Sequence, residues 1–394
     1  MLTHEILEEY RPYYNEEINV AMHRIADSPY FPQLSVYVYP DRSPEDVKKQ
    51  ICAYTTIDEF QLQVMKALNE QVIARSIADF SYVGLANKDK EKHYTFISNH
   101  RDIMLDATLF QYILYLEGHQ TSEISFGSNL MQNQVVMDIG KSIKMFKIVR
   151  GGNLRGLFVN SLNVSAYMRY AITEKHQSTW IAQRNGRSKD GTDKTEAALL
   201  KMLAMSSEKS FVENLGELNI TPIAVSYEYE PCDFMKTREN YLSRRQTYQK
   251  APGEDLNSIL QGIIQFKGNT HFTICETITP DELSECEKLP HSEQHKKLAS
   301  IIDKKIYAGY KLWKTNYIAR DILNKKSDVS AFYSNEDREK FIEYMNNGLN
   351  TLLDGDRDEL QEIFLGIYAN PVDNCLSQKI NQGFLSPDII IRTS

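Results

Sequence analysis

The chain is 394 residues long, with 42% hydrophobic and 10% aromatic residues; this excludes global disorder and leaves ample material for a buried core. A formal net charge of −8 argues against non-specific nucleic-acid binding by the protein as a whole. Its five cysteines (Cys52, Cys232, Cys275, Cys286, Cys375) follow no CxxC or zinc spacing, so a reduced, intracellular setting without a structural metal is expected.

Residues 1–90 read as a mostly helical region. The opening MLTHEILEEY is polar and acidic, unlike a signal peptide. SPYFPQLSVYVYPDRSPED, residues 28–46, reads as a proline-interrupted loop or short strand. Residues 56–80 place Phe60, Val64, Leu68 and Val72 at helical intervals and predict one packing helix.

Residues 91–290 change texture. Short apolar runs at 94–98, 123–128, 145–149, 179–183, 220–227 and 270–277 predict strands, and helical patterns at 107–118, 161–176 and 195–205 lie between them. Residues 291–394 read as helical again, with acidic starts at Asp337 and Asp358. The final FLSPDIIIRTS reads as a short strand or docked tail. The whole predicts an α/β fold: a mostly parallel central sheet flanked by helices, with helical N-terminal and C-terminal regions. In such sheets ligand sites collect beyond the carboxyl ends of strands. No run reaches the roughly 18 apolar residues of a membrane span, so any work on lipid is expected from the membrane surface.

Charge is unevenly spread. Between Lys141 and Lys201 twelve Lys/Arg face four acids, a local +8 inside an acidic chain. Such a segment suits either a solvated basic face or a site for an anionic ligand or anionic membrane.

The chemistry concentrates in SNHRDIMLDA, Ser98 to Ala107. HRD opens a protein-kinase catalytic loop, but the metal-binding Asn needed five residues after Asp102 is replaced by Ala107. The nearest DFG-like triplet, Asp79-Phe80-Ser81, precedes it, and no GxGxxG loop is present. His100 falls at a strand end and Asp106 at a helix start, so the turn between them can bring imidazole and carboxylate together. An Asp that accepts the Nδ1 proton fixes the tautomer of a His and raises its basicity. Asp102 is the alternative orienting acid. The other reading of this stretch is an Asp helix cap beside a half-buried His.

Three further stretches give a resemblance. Met145-Phe146-Lys147-Ile148-Val149-Arg150 is an aromatic, apolar run ending in Arg. Gly186-Arg187-Ser188 is a turn after a strand, and Pro222-Ile223-Ala224-Val225-Ser226-Tyr227-Glu228 is a strand opened by Pro. With His100 and Asp106 they resemble, in order, the four motifs of the glycerolipid acyltransferases, which include the glycerol-3-phosphate and 1-acylglycerol-3-phosphate O-acyltransferases. An SNHRD first motif resembles an atypical bacterial subgroup. The likeness covers roughly residues 90–280. Two departures stand out: five residues instead of four separate His100 from Asp106, and Gln183-Arg184-Asn185 replaces the acid that usually precedes the third motif's glycine.

The resemblance implies an enzyme of glycerophospholipid synthesis. His100, oriented by Asp106, is the expected general base, and Arg150, Gly186, Arg187 and Ser188 are the expected acceptor phosphate site. No metal and no cofactor are implied; the acyl donor is acyl-carrier protein, acyl-CoA or an acyl phosphate. The expected location is cytoplasmic and peripheral, on an anionic inner membrane face. Two alternatives stay open: the same chemistry on another acceptor, such as an amino-acid lipid, or a non-catalytic lipid- or acyl-carrier-binding protein of the same fold. Cys232 is expected to be a buried thiol.

Overall fold

The computed structural model describes residues 3–130, 133–149 and 153–379. Its centre is a seven-stranded sheet of β1 (Ile77–Val83), β2 (Thr95–Ser98), β3 (Glu123–Gly127), β4 (Met145–Ile148), β5 (Thr179–Ala182), β6 (Thr221–Tyr227) and β7 (Gly268–Ile274), in the order β1-β7-β6-β2-β5-β3-β4. Every neighbouring pair is parallel except β6 with β7. The central strands β2, β5 and β6 are buried on both faces, which is why they read as continuous apolar runs.

Successive side chains of these strands enter different cores, as the two-residue pleat requires. Phe96, Trp180, Ala182, Ile223 and Val225 join one cluster with the N-terminal helices and the helix Leu105–Leu116. Ile97, Ile181 and Ala224 join another, against the helices Leu154–Thr173, Ala197–Ala204 and His291–Gly309. A third cluster holds the C-terminal helices Lys314–Asn324, Asn335–Leu349 and Arg357–Lys379 together. The expected α/β architecture is present, and all six expected strands form.

Two local readings need correction. Residues 28–46 are helical at Phe31–Val38 and again from Pro44, instead of forming a loop or strand. Pro32 is the second residue of its helix, where the backbone N–H that proline lacks has no helical partner in any case. The expected helix at 56–80 stops at Ser76, after a π-helical turn at Gln61–Met65, and the chain then enters the edge strand β1. FLSPDIIIRTS lies outside the described residues.

Four of the twelve bases in the basic segment pair with acids from elsewhere among the described residues. Lys147 pairs with Glu9, Arg169 with Glu217, Lys175 with Glu123 and Lys189 with Glu239. The local excess of charge is therefore partly a sequence effect that folding neutralises.

Asp233 ties the C-terminal helices to the sheet domain. Its Oδ2 accepts hydrogen bonds from Tyr344 Oη at 2.8 Å and Tyr368 Oη at 2.7 Å, and its Oδ1 accepts from Phe234 N and Gln265 Nε2. Burial, working against those four donors, pushes its carboxyl up to about 6. A carboxyl raised on folding stabilises the native state while protonated; that contribution is complete below the unfolded value near 3.8 and is lost as pH rises through about 6. Asp233→Asn, neutral at every pH, is therefore expected to gain on the wild type between pH 4 and 6.5. The gain across that window should be about 2 kcal/mol in urea unfolding, and a flat difference across that range would contradict it.

Candidate functional site

The site forms where β2 ends. Asn99 finishes the ladder with its side chain: Nδ2 donates to Val225 O at 3.0 Å and Oδ1 accepts from Val225 N at 2.7 Å. The main chain is thereby released to turn into the helix Leu105–Leu116.

Asp106, in the first turn of that helix, is fully buried. Its Oδ2 gathers three donors: His100 Nδ1 at 3.0 Å, Arg101 N at 2.6 Å and Asp102 N at 2.9 Å. Its Oδ1 accepts from Tyr227 Oη at 2.9 Å. The positive end of the helix dipole adds to the stabilisation of this charge. An ionised carboxylate only accepts, so the proton of the neutral imidazole sits on Nδ1 and the lone pair on Nε2. The Trp180 and His100 rings meet edge to face with centroids 6.1 Å apart. No hydrogen bond occupies Nε2 among the described residues, and His100 retains 8% exposure.

Asp102 plays a different part. Its Oδ1 accepts from Met104 N at 2.9 Å and Leu105 N at 2.8 Å and so caps the helix start. Its Oδ2 has no hydrogen-bond partner among the described residues. Burial, reinforced by the nearby charge of Asp106, pushes the Asp102 carboxyl up. Gly262, in the helix Glu254–Ile264, lies directly over it: a Cβ there would stand 2.2 Å from Oδ2. The same helix presents Ser258 to Arg187, whose Nη2 donates to Ser258 Oγ at 3.3 Å.

Arg187 is a buried guanidinium with an unpartnered Nη1 and no salt bridge among the described residues. It follows Gly186, whose φ of +78° lies in the left-handed region that glycine adopts without strain, and whose Cβ position faces open space. The loop is fixed to the histidine through Ser188 N, which donates to His100 O at 2.7 Å. The Ser188 hydroxyl turns back into its own loop and accepts from Gly191 N at 3.2 Å. Arg150 lies outside the described residues. Cys232 is buried beside this region, and burial pushes its thiol to about 11, so it is protonated at neutral pH. No cluster of three or more His, Cys, Asp or Glu suited to a metal ion occurs among the described residues.

Sequence reasoning missed the frame around this site. Arg101 is buried and joins Asp193 through Nε at 3.0 Å and Nη2 at 2.6 Å, and Glu230 through Nη1 at 3.1 Å. Lys236 Nζ closes the cluster on Glu230 at 2.5 Å and on Arg101 O at 2.6 Å. Burial alone would raise the Asp193 carboxyl, but the charge of Arg101 and hydrogen bonds from Tyr310 and Asn99 hold it below the usual range. These partners lie far apart in the chain, and no local pattern announces them. Tyr227 stood inside the fourth motif, and only the fold shows it reaching Asp106.

No family model and no curated protein sequence matches the chain. Among solved structures it is similar to the 1-acyl-sn-glycerophosphate (LPA) acyltransferase PlsC from Thermotoga maritima, at 12% sequence identity and a TM-score of 0.37, over 75% of this chain and 95% of that chain. So distant a likeness carries no weight for the chemistry, which rests on the residues themselves.

The two aspartates should separate on substitution. Asp106→Ala leaves four donors without their acceptor and is expected to cost about 3 kcal/mol or more in urea unfolding. Asp102→Asn keeps a capping oxygen and removes a charge that burial disfavours, so its cost should stay below about 1 kcal/mol. Equal losses would show that the two carboxylates share one role.

Proposed function

We propose that the chain is an O-acyltransferase that moves a fatty acyl group to a hydroxyl of a phosphate-bearing glycerol acceptor, glycerol-3-phosphate or its 1-acyl derivative. The observation that carries this reading is the Asp106–His100 pair at a strand end, with Nε2 unoccupied and the Arg187 loop hydrogen-bonded to the His100 backbone. A base and an anion-binding cation on one rigid support suit an alcohol that bears phosphate.

In this reading His100 Nε2 takes the proton of the acceptor hydroxyl as its oxygen attacks the donor's acyl carbon. The Asp106 carboxylate stabilises the imidazolium that forms. Collapse of the tetrahedral intermediate breaks the bond to the leaving group, a thiolate of acyl-carrier protein or CoA, or a phosphate. The imidazolium returns its proton to that leaving group, so the base is restored without an acyl-enzyme. Arg187 holds the acceptor phosphate in this reading, and Arg150 is its partner on sequence grounds.

A peripheral place on an anionic membrane fits the surface chemistry. No helix among the described residues is long and apolar enough to cross a membrane. At the end of the sheet that carries His100, the helix Leu154–Thr173 opens with exposed Leu154, Phe158 and Val159 beside Arg155. Exposed Leu256, Leu260 and Ile264 line the outer side of the helix that covers Asp102.

The test is acyl transfer from long-chain acyl-carrier protein, acyl-CoA and acyl phosphate to glycerol-3-phosphate and lysophosphatidate. His100→Ala should lower kcat by about 10³-fold or more while its unfolding midpoint stays close to wild type. Near-wild-type turnover in that variant would exclude His100 as the base. Arg187→Ala should raise KM for the phosphorylated acceptor by about tenfold or more, and an unchanged KM would remove Arg187 from the phosphate site.

A further inference from the structure

The helix Glu254–Ile264 faces the wrong way for an ordinary surface helix, which turns its apolar row to the core. Its buried positions are Ser258 and Gly262. Leu256, Leu260 and Ile264, four residues apart on one row, stand 41%, 46% and 62% exposed, and Phe266 just beyond them is 54% exposed.

The ground beneath is polar and incompletely bonded. Asp102 and Arg187 are buried there, and Asp102 Oδ2 and Arg187 Nη1 have no hydrogen-bond partner among the described residues. Keeping such groups dry and unpaired is costly, and hydration relieves that cost when the cover lifts. With Ser258 on Nη2 and Nη1 buried, the fork of Arg187 cannot take a phosphate bidentately until the helix moves.

The two ends of the helix are held unequally. At the C-terminal end Gln265 Oε1 accepts from Cys232 N at 2.7 Å, and Gln265 Nε2 donates to Asp233 Oδ1 at 3.0 Å and Tyr344 Oη at 3.1 Å. The buried Lys267 ammonium donates to Ile263 O and Gln265 O, and Ile263 packs against the core. Nearer the N-terminal end, Ser258 meets the floor through two weaker contacts: its hydroxyl accepts from Arg187 Nη2 at 3.3 Å and its carbonyl from the Cys232 thiol at 3.3 Å. The helix follows Gly253, whose φ of +80° and open Cβ position leave the entry to it uncrowded.

We infer that the helix is a lid with a lipid surface as its opener: lipid captures Leu256, Leu260, Ile264 and Phe266 and lifts the first half about the Gln265 end, uncovering Arg187. The four side chains present roughly 400 Å² of apolar surface, short of the about 800 Å² that each partner gives to a stable protein complex. Lipid needs no fitted counterpart, so it is the occupant this row suits. The inference rests on the peripheral, phosphate-binding reading of the chain, and its test needs no turnover.

Alkylation of the full chain by N-ethylmaleimide reports the cover, because Cys232 is buried with its thiol on Ser258 O. The rate at each cysteine is read by peptide mass spectrometry, with and without vesicles of phosphatidylcholine and phosphatidylglycerol in equal parts. Vesicles should raise the Cys232 rate by about tenfold or more, while Cys286, buried in a different core cluster, keeps its own. Leu256→Ser, Leu260→Ser and Ile264→Ser together should fold like wild type, since all three are already exposed, and should abolish the rise. An unchanged Cys232 rate on a chain that co-sediments with the vesicles overturns the lid and leaves the peripheral reading standing; failure to co-sediment overturns both. A rise shared by Cys286, which is general unfolding, or one that survives the triple substitution also overturns the lid. So does a rise produced by higher protein concentration without vesicles, since a second copy would then occupy the row. A selective rise in a chain without acyl transfer keeps the lid and removes the acyl-transfer reading.

Discussion

One buried carboxylate oxygen organises the candidate site. Asp106 Oδ2 accepts from a side chain, His100 Nδ1, and from two consecutive main-chain amides, Arg101 N and Asp102 N. Those amides belong to the turn that carries the histidine out of β2, so the acid orients the imidazole and shapes its support at once. Tyr227 on the other oxygen extends the arrangement to β6. Such a charge is tolerable in the interior because four donors meet its two oxygens and the helix start adds its dipole.

The surrounding charges work in the same manner. Arg101 stands between the histidine and Asp102 in sequence but points into an ionic cluster with Asp193, Glu230 and Lys236. Buried pairs of this kind contribute little net stability against an apolar alternative, while breaking one leaves an uncompensated charge. Their use here is positional: they fix the turn at Arg101 against residues 92 and 129 positions further along the chain. The helix Glu254–Ile264 then seals the far side, with Gly262 at a position where a side chain would collide with Asp102.

The sheet was legible in the sequence because its central strands are buried on both faces and read as unbroken apolar runs between turn residues. β1 was not, since Ile77–Val83 continues the apolar spacing of the helix before it and only pairing with β7 decides its conformation. The helix at Phe31–Val38 was hidden by Pro32, whose meaning depends on whether it opens a helix or interrupts one. At the site, His100 and Asp106 were readable from a local pattern of strand end and helix start. The roles of Arg101, Gly262 and Tyr227 were not, because each depends on a partner brought close only by the fold.

Asn99 has a consequence for finding distant kin of this chain. Its side-chain amide donates to and accepts from the same residue of β6, Val225, and so imitates a peptide unit. Aspartate lacks the donor, and glutamine is a methylene too long for that spacing. An Asn-His pair leaving an interior strand, with an acid six residues after the histidine, is thus a geometric signature. It can be sought among coordinate sets where the remaining sequence has diverged past any alignment.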